Sequence, residues 1–264
     1  ELFSYRGTLS SRTEKILNAL GIVLLFFIWW ELVFIFKFKS VILPHPIDVI
    51  RDFPELFTRY NIIRNTMFSI FINVVGFSQA LLLSIPLGFL ISEIPFFKGL
   101  SYRWVLLLRF LPITAFFGMF ITWFGDDWLM KSQFLFFGVF LYLVPTVAHR
   151  AWEVPSLKVD VMRTLGAKSR QIFWIAVFPD TMSRLWADII TLSAVTWTYI
   201  AVAETVNMGS GGGLGAMCYN FGLKSATSLV FGCLLVLLFV GAIQDQFSKF
   251  LGRFFFPYKR KKRR

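Results

Sequence analysis

Histidine and cysteine are almost missing from this chain, with two of each in 264 residues, and charged residues make up only 16% of it. Cys218 and Cys233 are too few and too far apart for a disulfide framework or a thiolate metal site. No Ser/His/Asp or Cys/His arrangement falls on one face, so catalysis by the chain itself is not expected. The glycine-rich stretch Gly209–Gly215 lacks the Lys-Ser/Thr that a phosphate-binding loop requires, which excludes a nucleotide there. Internal repeats and low-complexity linkers are absent, so residues 1–264 are expected to form one domain. Also lacking is a charged start followed by a short apolar run and a small-residue cleavage site, so the first apolar run is expected to be retained.

What the chain has in excess is apolar surface. Hydrophobic residues make up 56%, including 33 phenylalanines, against roughly 45–50% in soluble domains. A soluble core cannot hide that much, and apolar side chains facing lipid need no further explanation. A membrane span needs about 20 mainly apolar residues, because hydrocarbon satisfies no bare backbone group. Six segments reach or approach that length: Ile16–Phe36, Thr66–Ile91, Trp104–Phe124, Gln133–Ala148, Leu185–Ala203 and Ser225–Gln244. Arg109 and Pro112 interrupt the third. Either the whole stretch spans, or Gly99–Phe110 forms an interfacial helix and the span begins near Leu111.

Lys and Arg outnumber Asp and Glu by 27 to 15, for a net charge of +12. With six crossings, seven basic residues fall outside (Lys37, Lys39, Arg51, Arg59, Arg64, Lys131 and Lys224) and the other twenty inside. That bias places both termini in the cytoplasm. The charge is therefore an orientation signal, and no nucleic-acid partner is expected. The topology gives an inner N-terminal segment 1–15, an outer segment 37–64, an inner loop 149–183 and a basic tail 253–264. The tail's Lys259–Arg264 suits stop-transfer or a grip on anionic lipid headgroups. In the outer segment, Leu43-Pro-His-Pro46 predicts an extended entry with His45 exposed, then a short helix over Ile47–Tyr60 with Asp48 near its start. His45 and His149 lie on opposite sides of the membrane.

The inner loop carries a pattern. Val154, Leu157, Val161 and Leu165 recur at three- or four-residue steps, backed by Lys158, Asp160, Arg163 and Thr164, which predicts an amphipathic helix. Gly166 permits a turn, a second helix follows over Ser169–Val177, and Pro179 is expected to break it before the fifth span. Periodicity alone allows the stripe to float at the headgroup layer or to pack on the chain's own inner mouth.

The stretch Val154-Pro-Ser-Leu-Lys-Val-Asp-Val-Met-Arg-Thr-Leu-Gly-Ala-Lys-Ser-Arg-Gln-Ile-Phe-Trp-Ile-Ala-Val-Phe-Pro179 resembles the "EAA" loop of bacterial ABC importer permeases. That pattern reads Glu-Ala-Ala, three residues, Gly, then a hydrophobic-Pro ending. Gly166 and Pro179 stand thirteen residues apart, as in the family, with Leu165-Gly166-Ala167 at the turn. Asp160, Val161 and Met162 replace the Glu and the two alanines. The resemblance implies an all-α, polytopic inner-membrane permease of about six transmembrane helices. Its loop would be a coupling helix seated in a cleft of a cytoplasmic ATPase subunit through Val154, Leu157, Asp160, Val161, Met162, Leu165, Gly166, Ala167 and Pro179. ATP and Mg would belong to that ATPase, with no cofactor on this chain. A second permease copy and an external or periplasmic solute-binding protein complete the implied partners, and membrane lipid surrounds them.

Arg109-Phe-Leu-Pro-Ile-Thr-Ala115 with Trp123-Phe-Gly125, and Ala203-Glu-Thr205 with Gly211-Gly-Gly-Leu-Gly215, resemble runs of the family's sulfonate, taurine, nitrate and bicarbonate branch. A small anion is the implied solute. Candidates for the pathway or gate are Arg109, Pro112, Thr114, Trp197, Tyr199, Glu204 and Asn207. Trp197 and Tyr199 suit ordinary helix packing as well. Glu204, at the end of the fifth span, either lines an outer gate or caps local backbone donors. Asp188 is expected to pair with Arg184 one turn away. The alternatives are a carrier driven by an ion gradient, for which Asp188 would be the buried acid, and an ABC permease for another solute such as a vitamin precursor.

Overall fold

The structure is a computed structural model and describes residues 10–35, 42–205 and 212–257. Among them there are helices and turns but no strand. The elements are α1 (Ser11–Ile35), α2 (Pro46–Thr58), α3 (Ile62–Glu93), α4 (Pro95–Leu108), a 3-10 turn (Ile113–Phe116), α5 (Phe117–Phe124), α6 (Trp128–Trp152), α7 (Ser156–Thr164), α8 (Ser169–Ile172), a π-turn (Phe173–Val177), α9 (Phe178–Ala203), α10 (Leu214–Leu223) and α11 (Thr227–Phe255).

Five stretches are long and apolar enough to cross a bilayer: Arg12–Ile35, Ile62–Glu93, Trp128–Trp152, Ser169–Ala203 and Thr227–Phe255. A sixth is broken, with Pro95–Leu108 and Ile113–Phe124 meeting at 84°. The all-α, polytopic expectation is met. Most helices overrun the apolar runs that predicted them, because a helix keeps its hydrogen bonds into the interface where charged side chains are welcome.

Two details differ from the sequence reading. The segment Trp104–Phe124 is not one helix. Pro112 is extended, at φ −70° and ψ 97°, because it has no amide to give and its ring would collide with the carbonyl one turn back. Pro179, by contrast, breaks nothing. It sits in the first turn of α9, where a missing amide costs little, and the preceding π-turn reaches from the Phe178 amide to the Phe173 carbonyl, giving the ring room.

The residues form two packed units, Glu1–Asn61 with Asn220–Leu234, and Ile62–Tyr219 with Leu235–Arg264. In the first, the Trp29 indole donates to the Pro44 carbonyl at 3.2 Å and stacks on Phe231 at 5.5 Å. His45 enters α2 in an extended conformation, as expected. It is half-buried rather than exposed, its ring edge-on to Trp30 at 4.9 Å. Leu56 is fully buried, and Gly232 is close enough that a side chain there would meet it.

The second unit is built on α3, α6 and α9. Ile72, Leu135, Leu143, Leu185 and Ile200 are at most 1% exposed and form its core. Lipid tails are as apolar as leucine, so such helices associate through close packing and polar contacts rather than water exclusion. Asn73 accordingly donates to Thr196 Oγ1 at 2.9 Å, and Gln133 to Gln79 Oε1 at 3.1 Å. Gly76 and Gly88 let α3 touch α6 directly. A Cβ on Gly76 would stand 2.6 Å from the Ser132 carbonyl oxygen, and one on Gly88 would collide with Val147.

Gly76→Val should therefore overpack the α3/α6 contact and cost about 1–3 kcal/mol, read as a lower unfolding temperature in detergent. Gly21→Val in α1, where nothing lies within 4 Å of the added carbon, should leave that temperature unchanged.

Candidate functional site

At one end of the second unit lies the loop between α6 and α9. α7 ends in a Schellman cap: the Ala167 amide bonds the Met162 carbonyl at 3.0 Å, and the Gly166 amide the Arg163 carbonyl at 2.9 Å. Gly166 adopts φ +78° with nothing within 4 Å of a would-be Cβ. Only the left-handed backbone requires glycine there. The face of α7 that packs on the α3/α6/α9 core is Val159 and Met162, joined by Val154 and Ala167. Most of the predicted stripe points elsewhere, with Leu157 71%, Val161 50% and Leu165 77% exposed. Packing on the chain's own core thus accounts for Val154 and Met162, not for these three. Asp160 is also exposed. A groove of about 450 Å³ lies between α7 and the π-turn, lined by Met162, Ile175 and Pro179 among others.

Ion pairs tie this loop to α9. The Arg150 fork grips both oxygens of Asp188, at 2.6 and 2.9 Å, and its remaining nitrogen holds Glu153 at 2.8 Å. These hydrogen bonds keep the Glu153 carboxyl below its ordinary range. Lys158 and Arg184 share Asp180, at 2.8 and 3.1 Å. The expected Arg184–Asp188 pair is therefore not formed. Arg184 turns back one turn, and Asp188 is taken by a bidentate guanidinium from α6, the geometry that suits a carboxylate best.

The opposite end of α9 holds a second polar cluster. Glu204 is fully buried. Ser69 Oγ donates to its Oε1 at 2.6 Å, and the Gly215 amide to its Oε2 at 2.8 Å. The Leu214 amide donates to Ser69 Oγ and the Gly213 amide to Asn65 Oδ1, each at 2.9 Å. Three successive amides at the start of α10 are thus received by α3 and by Glu204, acceptors at a positive helix end. Of the two readings of Glu204, backbone capping is the one these bonds display.

Lys131 belongs to the same region. The sequence reading left it in an outer loop, but it stands in the first turn of α6 with no exposed surface. Its ammonium is 5.3 Å from the Phe68 ring centre and lies in the field of Glu204, Asp126 and Asp127. The available signal was the acid itself, since a carboxylate buried near lipid implies a cation close by.

The other pathway candidates are scattered. Arg109, Pro112 and Thr114 are exposed at the broken span, with the Arg109 guanidinium over Phe110. Trp197 is buried and donates to Gln244 Oε1 at 3.0 Å. Tyr199 is half-buried, its ring lying against Gly138. Asn207, the first glycines of the following loop, the start of the outer segment and the basic tail from 258 fall outside the described residues. Sequence reasoning missed Ala187, Thr191 and Ala194, which share one exposed face of α9 with Thr198. Among the described residues no group of His, Cys, Asp and Glu is placed to hold a metal ion.

Comparison with known proteins agrees with this architecture. Residues 80–255 match the family model described as the binding-protein-dependent transport system inner membrane component. An ABC transporter permease protein of Methanocaldococcus jannaschii is 25% identical, over 94% of each chain. An aliphatic sulfonates transport permease protein of Bacillus subtilis is 27% identical over 81% of this chain and 77% of its own. The taurine transport system permease protein of Escherichia coli is 20% identical over 96% and 93%. A chain of the inward-facing MetNI methionine ABC transporter superposes with a TM-score of 0.65, covering 75% of this chain and 97% of that one at 16% identity.

Glu204→Gln keeps the shape of the side chain but turns either an amide donor or a weaker acceptor toward the Gly215 and Ser69 donors, and leaves the Lys131 charge less compensated. It should cost about 1–3 kcal/mol, seen as a lower unfolding temperature and faster proteolysis between α9 and α10. Thr191→Ala, on the exposed face of α9, should change neither.

Proposed function

The chain belongs to the family of binding-protein-dependent transport system inner membrane components, and from that premise we propose that it is the ABC importer permease for a small anion, a sulfonate or taurine-like solute. The relatives named for aliphatic sulfonates and taurine support that solute class. A cytoplasmic ATPase subunit, carrying ATP and Mg, grips α7. A solute-binding protein delivers from outside, and a second copy of the chain completes the pathway. Both termini lie in the cytoplasm, as the distribution of Lys and Arg argues.

One observation carries the assignment of α7. Leu157, Val161 and Leu165 form an apolar row that the chain's own core leaves bare, and bare apolar rows of this kind mark protein interfaces. Asp160 beside them stands where the family pattern has its Glu. A groove in the ATPase that takes a short amphipathic helix matches both features. The left-handed Gly166 then fixes the angle at which α7 leaves α8. On the pathway side, Thr191 and Thr198 offer hydroxyls on the free face of α9, and Arg109, Pro112 and Thr114 lie at the broken span. The rival ion-gradient carrier loses its acid, because Asp188 is bound by the Arg150 fork.

Leu157→Glu should abolish co-purification of the ATPase while the permease still inserts; retention of the ATPase would remove α7 from the interface. Gly166→Val forces a β-branched residue into a left-handed backbone at a cost of about 1–2 kcal/mol. Uptake of labelled taurine or an alkanesulfonate per ATP hydrolysed should fall, whereas Gly166→Asn, which tolerates that conformation, should largely keep it.

A further inference from the structure

The covalent route from α7 to α9 is indirect. It runs through the open Gly166 turn, the four residues of α8 and the π-turn at Phe173–Val177. π-turns are local departures from the regular helical ladder and are frequent at functional sites. A displacement of α7 carried along the chain has to pass through each of these elements in turn. The apolar contacts of Val159 and Met162 hold α7 on the core, but such contacts are non-directional.

One directional link bypasses all of this. Lys158 Nζ bonds Asp180 Oδ1 at 2.8 Å, joining α7 directly to the first turn of α9. Asp180 is only 16% exposed, and its second oxygen is held at 3.1 Å by Arg184 one turn along the same helix. The carboxylate is thus already oriented by α9 itself and offers Lys158 a fixed partner. Two turns beyond, Asp188 is clamped by Arg150 from α6, so α9 is held on one side of Asp180 while Lys158 acts on it.

We propose that the Lys158–Asp180 bridge is the strut that transfers displacement of α7 to the base of α9, with the Arg150–Asp188 clamp as its pivot. Lys158 is a positioning residue: it touches neither solute nor nucleotide. The inference rests on α7 being the segment that the ATPase grips, and it adds the path by which the movement leaves that segment.

The test uses the assembled transporter, permease with ATPase and binding protein, in proteoliposomes. Lys158→Met keeps the length of the side chain and removes the charge. The complex should still co-purify and still hydrolyse ATP, but solute taken up per ATP should fall by at least about fivefold, the lower range of energetic coupling between sites. Asp180→Asn should give the same split from the other side of the bridge, and Lys158→Arg should restore coupling because a guanidinium can make the same bond. Unchanged uptake per ATP in both Lys158→Met and Asp180→Asn overturns the strut. Loss of ATPase co-purification in Lys158→Met overturns it as well, making Lys158 a seat contact. The ATPase-binding result for Leu157→Glu bears only on the seat, so failure of the seat and failure of the strut read out separately.

Discussion

Hydrocarbon offers no hydrogen bonds, and this one constraint organises the structure. Every backbone polar group taken into the membrane-embedded part must find its partner inside the protein, and most buried polar side chains follow, Ser84 Oγ being an exception. Glu204 can be fully buried because a hydroxyl and a backbone amide converge on it and Lys131 stands nearby. Asn73 meets Thr196, and Gln133 meets Gln79. Removing one member of such a set leaves the others stranded, so the polar contacts fix which helices meet and in what register more than they add net stability. The apolar contacts between α3 and α6 fill in around them, close enough that Gly76 and Gly88 admit no side chain.

The same constraint explains what could be read from the sequence. Long uncharged runs have no fate other than a span, so the existence and type of the crossing helices were legible, and so was the turn at Gly166, whose left-handed backbone glycine meets most readily. Pairing was not legible. Arg184 and Asp188, at helical spacing, formed a plausible local pair, yet the local term of a few tenths of a kcal/mol yields to a guanidinium fork arriving from α6. Lys131 misled for a related reason. A lysine beside Asp126 and Asp127 at the start of a helix looks solvated, yet it is fully buried, in the field of Glu204 as well as of those two acids. The two prolines show the limit of a local rule: Pro112 breaks its span, whereas Pro179, in the first turn of α9 behind a π-turn, breaks nothing.

α9 is where these threads meet. At about 1.5 Å per residue, its 26 residues reach about 39 Å, enough to carry a displacement from one face of a bilayer to the other. Its N-terminal part bears Asp180 and Asp188, each held by cations from outside the helix, and Glu204 closes its C-terminal end against α10. The helix is anchored by carboxylates at both ends and packed against α6 between them. Its N-terminal approach runs through the Gly166 turn and the π-turn. A side-chain contact that reaches α9 itself is the shorter route into the helix. That places the burden of coupling on side chains from α7 that touch α9 directly, and makes Asp180 the place where the two meet.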